Sequence, residues 1–182
     1  DLLTSTYNTI GGTGPESANV ISDNSSAGVR LASITAQAIV GHNTIIGNLI
    51  GMQKDGNTAV NGGSQQYGVR IEDGNDTNFV GGAGAEGNVI SANDSAGIFI
   101  ESSRTHVGGN IIGLRSDGNG LLTGTAKQKI GIKINGGLNN AVGDKDTSFS
   151  NVISGNLEKG VVIQNAGSGN VVFGNQIGGA KN

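Results

Sequence analysis

The 182-residue chain has no cysteine, no tryptophan, one proline and only 3% aromatic residues. The absence of cysteine excludes a disulfide framework and any thiolate metal site. The scarcity of proline, together with glycines that do not recur at every third position, excludes a collagen-like triple helix. No apolar run approaches the roughly 20 residues that a membrane-spanning helix needs, so we expect no membrane insertion.

Charge is also scarce, at 14% of residues with a net charge of -3. Without a basic stripe, a nucleic-acid partner is not expected. Hydrophobic residues make up 35% of the chain and fall in short Val/Ile runs, which argues against disorder. Glycine, in contrast, supplies 34 of the 182 residues. This composition favours one folded domain over residues 1–182, built from short strands and glycine-rich turns.

The phrase N-V-I-S-x-N returns at Asn19, Asn88 and Asn151, with spacings of 69 and 63 residues. Regular self-similarity of this kind is typical of a solenoid, in which each unit buries its core against its neighbours. A glycine-led alternating strand follows each copy, and the same strand occurs in the units between them. These strands start at Gly28, Gly68, Gly97, Gly131 and Gly160. Their alternation predicts inward-pointing core residues: Val29, Leu31, Val69, Ile71, Ile98, Ile100, Ile132, Ile134, Val161 and Ile163.

A third phrase, N-x-V-x-G-N-x-I-G, occurs at Asn170, with Ile in place of Val at Asn43, and in degenerate form at Thr105. It marks a long coil that alternates with a short one. Turn-forming Asp-Gly-Asn segments follow at Asp55 and Asp117, and we expect them to protrude as loops on one edge. With three strands a coil, the sequence predicts an all-β, single-stranded parallel β-helix of about five to six coils. Regularly placed asparagines are expected to stack into side-chain amide ladders in its turns.

These phrases resemble the right-handed parallel β-helix repeats of bacterial secreted and surface proteins, which belong to the pectin-lyase-like architecture. The resemblance covers Asn8 to Gly178 and implies a right-handed solenoid. That architecture hosts polysaccharide lyases, hydrolases, epimerases, adhesins and phage tailspikes, so the resemblance implies an extracellular or cell-surface location without fixing an activity. In its enzymes, the parallel-sheet face corresponding to the glycine-led strands often carries the substrate groove.

Neither end shows a capping helix, and Asn8 is expected to lie at the second strand of a coil whose glycine-led strand is missing. Open solenoid ends expose backbone groups and core, which natural proteins normally cover. We therefore interpret the chain as a segment of a longer solenoid. The alternative is end-to-end self-association of several copies.

The outward residues of the glycine-led strands form the most function-like surface in the sequence. Neighbouring rungs lie about 4.8 Å apart, which would allow Glu72 and Glu101 to act as a pair of catalytic carboxylates. Arg70, Lys133 and Arg104 would flank this pair as substrate-binding cations. Phe99 would offer a ring on which a sugar can stack. The alternative interpretation, which we favour, is a solvated row of opposite charges without catalytic function.

Metal sites are less strongly indicated. Asp55, Asp73, Asp76 and Asp117 lie in turns and could ligate calcium, although their roles as turn residues explain them as well. His42 and His106 could stack on each other in successive long coils, but two histidines without a third ligand are usually structural. We expect no metal or other cofactor.

Three functional hypotheses follow. The first is an extracellular structural or adhesive element that binds a polysaccharide or a cell-surface glycan. The second is a polysaccharide-active enzyme, a lyase or a glycoside hydrolase, that uses Glu72 and Glu101. The third is end-to-end self-assembly, which overlaps with the first. The scarcity of aromatic residues argues against a long sugar-binding cleft.

Overall fold

The computed structural model describes residues 1–14, 16–33, 40–60, 64–124 and 128–179. Three parallel sheets of six strands run along the molecule, and each coil contributes one strand to each sheet. The predicted all-β parallel β-helix is confirmed, with six coils. No helix in the described part of the chain is long and apolar enough to cross a membrane.

Each sheet collects strands from the same position of successive coils. Sheet 1 consists of Leu2–Leu3, Ala27–Ala32, Tyr67–Ile71, Ala96–Ile100, Ile130–Asn135 and Lys159–Gln164. Sheet 2 consists of Thr9–Gly11, Thr44–Ile46, Phe79–Gly81, His106–Gly108, Ala141–Val142 and Val171–Val172. Sheet 3 consists of Val20–Ile21, Leu49–Ile50, Val89–Ile90, Ile111–Ile112, Val152–Ile153 and Gln176–Ile177. A further pair joins Val40–Gly41 to Asn75–Asp76, and two 3-10 helices span Gly84–Glu86 and Thr147–Phe149.

The core is a set of aliphatic columns, because in-register pairing places equivalent residues above one another. Ile98 pairs with Val69 on one side and with Ile132 on the other, and all three are fully buried. The predicted core residues of the second to fifth coils are all buried. The prediction for Ile163 is wrong, since its side chain is 44% exposed. It lies in the sixth coil, where the described residues provide a neighbouring coil on one side only.

The predicted amide ladders are present, one at each of the three corners of the coil. The N-V-I-S-x-N phrase supplies two of them, because its first and last asparagines stand at different corners. Between sheets 2 and 3 the ladder is unbroken through Asn19, Asn48, Asn88, Asn110, Asn151 and Asn175. Between sheets 3 and 1 asparagine alternates with glutamine, in the order Asn24, Gln65, Asn93, Gln128 and Asn156.

The third ladder, between sheets 1 and 2, is interrupted in the fourth coil. Asn8, Asn43 and Asn78 are joined by amide hydrogen bonds, as are Asn140 and Asn170. Thr105 occupies the position between the two groups, and its backbone N–H donates to Asn140 Oδ1 at 2.8 Å. Most of the buried polar side chains among the described residues belong to these ladders, which explains why the sequence is rich in asparagine.

The first coil is more complete than the sequence indicates. Leu2 and Leu3 pair with Leu31 and Ala32 in sheet 1. The expectation that this coil lacks its first strand is therefore wrong. The repeat pattern does not predict this strand, because it is only two residues long and has no leading glycine.

The two Asp-Gly-Asn loops, 52–60 and 114–124, follow the sheet 3 strands of the second and fourth coils. They contact each other across the third coil, since Ser116 N–H donates to Gly56 O at 2.8 Å and Thr123 N–H donates to Asn57 O at 2.9 Å. Met52, Ala59 and Leu122 are buried beneath them in a small apolar cluster against Val89. The loops thus form a braced layer on the outside of sheet 3.

Candidate functional site

The predicted outward row of sheet 1 has the expected register. Arg30 pairs with Arg70, Arg70 with Phe99, Phe99 with Lys133, and Lys133 with Val162. The row crosses five consecutive coils.

Arginine and glutamate side chains form a continuous charged row along this face. Arg30 donates two hydrogen bonds to Glu72, from Nε to Oε1 at 2.7 Å and from Nη2 to Oε2 at 2.9 Å. Arg70 lies between the two candidate catalytic carboxylates, with Nε 3.3 Å from Glu72 Oε1 and Nη2 3.4 Å from Glu101 Oε2. Asp1 Oδ2 extends the row, 3.6 Å from Arg30 Nη1. The structure therefore brings Glu72, Glu101 and Arg70 together, as ion pairs.

These contacts hold the pKa of Glu72 below its usual range. The hydrogen bonds from Arg30 make the largest contribution, partial burial opposes it, and the positive charges of Arg70 and Arg30 add to it. A general acid in glycoside hydrolysis needs a raised pKa so that it carries a proton at neutral pH. The environment of Glu72 has the opposite effect, and this disfavours Glu72 as the acid.

The aromatic ring of Phe99 is not available as predicted. Phe99 is only 7% exposed, because the ring of Tyr67 stacks on its ring with centroids 5.0 Å apart. Lys133 Nζ lies 5.6 Å from its centroid and Arg70 Cζ 5.8 Å. The expectation of an exposed sugar-stacking ring at Phe99 is wrong, since the outward direction of a side chain does not guarantee exposure when its neighbours are long.

Arg104 lies in the turn after its strand and forms an ion pair with Asp76, at 2.6 Å from Nη2 to Oδ2. Its backbone is left-handed, with φ of 55°. The residue before the sheet 1–sheet 2 ladder position has positive φ in every coil: Tyr7, His42, Thr77, Arg104, Asn139 and Gly169. The conformation at Arg104 is thus a recurring feature of the fold and gives no separate indication of a site.

The turn aspartates are engaged locally. Asp55 accepts from the hydroxyl of Thr58 at 2.6 Å and from the backbone N–H groups of Asn57 and Thr58, and Asp117 accepts from the backbone N–H of Asn119. These hydrogen bonds lower the pKa of both carboxyls. Asp73 accepts from Gly74 N–H, and Asp76 is paired with Arg104. Among the described residues, no group of three or more His, Asp or Glu side chains is arranged to hold a metal.

The two histidines lie in different columns, so the expectation that they stack on each other is wrong. His42 stacks on Tyr7, with centroids 4.9 Å apart and planes 4° from parallel. His106 pairs in register with Phe79 and Ala141 on the outer face of sheet 2. It contacts the rings of Phe79 and Phe149 and lies 3.6 Å from Asp144.

A groove of about 650 Å³ lies on the outer face of sheet 3, and no sequence motif predicts it. Its floor includes Val89, Ile111 and Val152. One wall consists of Gly84, Gly87, Thr147, Ser148 and Ser150, which lie in or next to the two 3-10 helices. Ser116, from loop 114–124, lies at the opposite edge, beyond the carboxyl ends of the strands. The feature of the sequence that accompanies this groove is the alternating length of the connections between sheets 2 and 3, which are short in the even coils and longer in the odd ones.

No protein-family model, no curated protein and no solved structure matches the chain. The resemblance to pectin-lyase-like repeats therefore depends on the repeat phrases, and the structure supports it at the level of a parallel β-solenoid.

Proposed function

We propose that this chain is a non-catalytic structural and adhesive element, located outside the cell or on its surface, that binds glycans without cleaving them. The observation that carries the proposal is the pairing of both candidate catalytic carboxylates with arginine. Glycoside hydrolysis needs one carboxyl group that can give up a proton and a second that remains ionised. In the charged row, Arg30 and Arg70 favour the ionised form of Glu72, and Arg70 also pairs with Glu101.

The organisation of the interior agrees with a scaffold function. Of the buried amide side chains described in the second to fifth coils, all but Asn75 are used in corner ladders that repeat from coil to coil. The resemblance to pectin-lyase-like surface solenoids supports both the location and the glycan partner, and this finer family assignment is part of the proposal.

The test combines binding and turnover on the same samples. The wild-type chain, Glu72→Gln and Glu101→Gln are applied to a glycan array and incubated with polysaccharides, while new reducing ends and unsaturated products are measured. We expect binding without turnover for all three proteins. Turnover by the wild type that disappears in Glu72→Gln would establish the enzyme alternative, and a lack of binding to every glycan would overturn the adhesive function.

End-to-end self-association is a second candidate, favoured by the polarity of the ladders. Asn8 and Asn19 donate to Asn43 and Asn48 of the next coil, and this direction is kept along the molecule. A second copy stacked head to tail would extend the ladders and cover Ile177, which is 50% exposed. Sedimentation velocity over a range of concentrations tests this candidate. A species that grows with concentration in the wild type and is lost in Ile177→Lys supports it, whereas a monomer throughout contradicts it.

A further inference from the structure

We propose that the groove on sheet 3 is the glycan-binding site and that it takes an uncharged oligosaccharide. This inference rests on the proposed adhesive function and names its site and its ligand class. The sheet 1 face is less suited to binding, because its arginines are already paired with carboxylates.

The lining of the groove determines the charge of the ligand. The described residues that line it carry hydroxyl, amide and aliphatic groups, and no ionisable side chain is among them. An acidic glycan would lose water around its carboxylates or sulfates there without gaining a cation, which is unfavourable. Hydroxyl groups of a neutral sugar can exchange hydrogen bonds with Ser116, Thr147 and Ser148, which are all exposed.

The floor suits the apolar faces of sugar rings. Val89 pairs with Ile111, and Ile111 with Val152, so these outward side chains form one row along the solenoid axis. Ile111 is half-buried and is the residue of this row that a sugar ring can contact, while Val89 and Val152 are less than a tenth exposed and complete the floor on either side of it. An apolar floor with a few polar groups at the rim is the usual composition of a small-molecule site, and the volume lies within the typical range of about 300–1,000 Å³.

Both walls are fixed by hydrogen bonds before any ligand arrives. Asp146 Oδ1 accepts from the backbone N–H and the hydroxyl of Ser148, at 3.0 and 2.8 Å. Gly109 N–H donates to Phe149 O at 2.8 Å, which ties this wall to the fourth coil. On the opposite side, the contact of Ser116 with Gly56 braces loop 114–124. A rigid site loses less conformational entropy on binding than a flexible one, which favours affinity.

The topology disfavours a peptide strand as the ligand. The sheet 3 strands of the second to fifth coils have a parallel neighbour on each side. The floor therefore offers no free strand edge to which a peptide could add. Recognition must come from side chains and loop backbone, as expected for a carbohydrate.

The test uses an array of neutral oligosaccharides beside uronate-containing and sulfated ones, followed by calorimetry with the neutral sugars that bind. Two variants fill the groove from opposite walls, Thr147→Trp and Ser116→Trp. The matched control is Thr13→Trp, an exposed residue in the equivalent connection of the first coil. Lys133→Ala tests the sheet 1 face. Circular dichroism melting checks that all variants are folded.

We expect neutral sugars to bind the wild type, and each groove variant to weaken this binding by at least about tenfold. The affinities of Thr13→Trp and Lys133→Ala should stay within about twofold of the wild-type affinity. A preference for acidic glycans would overturn the inference, as would neutral binding that survives both groove variants. Binding lost only in Lys133→Ala would keep the adhesive function and reject this site. A lack of binding to any sugar would reject both.

Discussion

Two kinds of polar side chain are stacked along this solenoid, and they differ in chemistry. The corner ladders inside the coils use neutral amides, of which Asn88 and Asn110 are fully buried. The row on the outer face of sheet 1 uses charges of alternating sign, and its side chains remain 19–33% exposed from Arg30 to Glu101. Both rows have the same rung spacing, since both follow from parallel in-register pairing.

The difference shows what burial allows. An amide carries both a donor and an acceptor, so identical residues can satisfy one another without any charge being removed from water. A row of identical charges would repel itself, and burying an alternating one would cost more in desolvation than pairing returns. The ladders therefore contribute to stability and register, whereas the charged row contributes little to either.

The largest effect is expected when a charge is placed in a ladder. In Asn110→Asp, the new carboxylate faces Val80 O, Gly108 O and Asn151 Oδ1, to which the amide now donates. We expect a loss of about 3–5 kcal/mol in the free energy of unfolding, because the buried charge has no cation beside it: one carboxylate oxygen keeps the hydrogen bonds from Asn88, and the other faces only acceptor oxygens. Urea denaturation measures it. The control is Asn165→Asp at an exposed asparagine, and equal losses in the two variants would contradict the comparison.

A smaller effect is expected when a ladder side chain is shortened and stays uncharged. Gln65 spans from Asn24 to Asn93, donating to Asn93 Oδ1 at 2.8 Å. Gln65→Asn shortens the side chain by one methylene, so both contacts are lost and buried groups stay unpaired. We expect a loss of about 1–3 kcal/mol. The control is Gln66→Asn, at the neighbouring exposed residue, and thermal melting compares the two variants. Equal melting temperatures would show that the alternation of Asn and Gln in this ladder is not required for stability.

On the charged row, Glu72→Gln is expected to cost about 1 kcal/mol at neutral pH. The folded pKa of Glu72 lies below its ordinary value of 4.5, so its contribution is present above that pH and is lost as the pH falls through the folded pKa. The difference between wild type and variant should stay constant down to about pH 5 and shrink below it. Denaturation at several pH values measures this difference, and one that grows on acidification would contradict it.

The repeat made most of the interior predictable. The alternation in Gly97-Ile98-Phe99-Ile100 and its copies determined which residues point inward, and the in-register spacing of asparagines determined the ladders. These features depend on local periodicity and on the identity of neighbouring rungs, which a sequence displays directly.

The outer surface was less predictable, because it depends on how far irregular segments reach. The burial of Phe99 follows from Tyr67, which lies one coil away on the same face. The contact of Thr123 with Asn57 joins loops from coils that are not adjacent. The groove exists because long connections flank a short one, and the direction of such connections is not encoded by alternation or by any single motif.

The smallest effect concerns the edge of the charged row, where Lys133 lies over the face of Phe99. Lys133→Met keeps the apolar stem and removes the charge, and we expect a loss of about 0.5 kcal/mol because the site is partly exposed. Lys159→Met, an exposed lysine in the next strand of sheet 1, is the control. A double-mutant cycle with Phe99→Leu isolates the pair. A coupling energy near zero would contradict this prediction, because it would show that the contact with Phe99 does not stabilise the fold. The outer face of sheet 1 would then be stabilised by its ion pairs and by the Tyr67–Phe99 stack, without a contribution from Lys133.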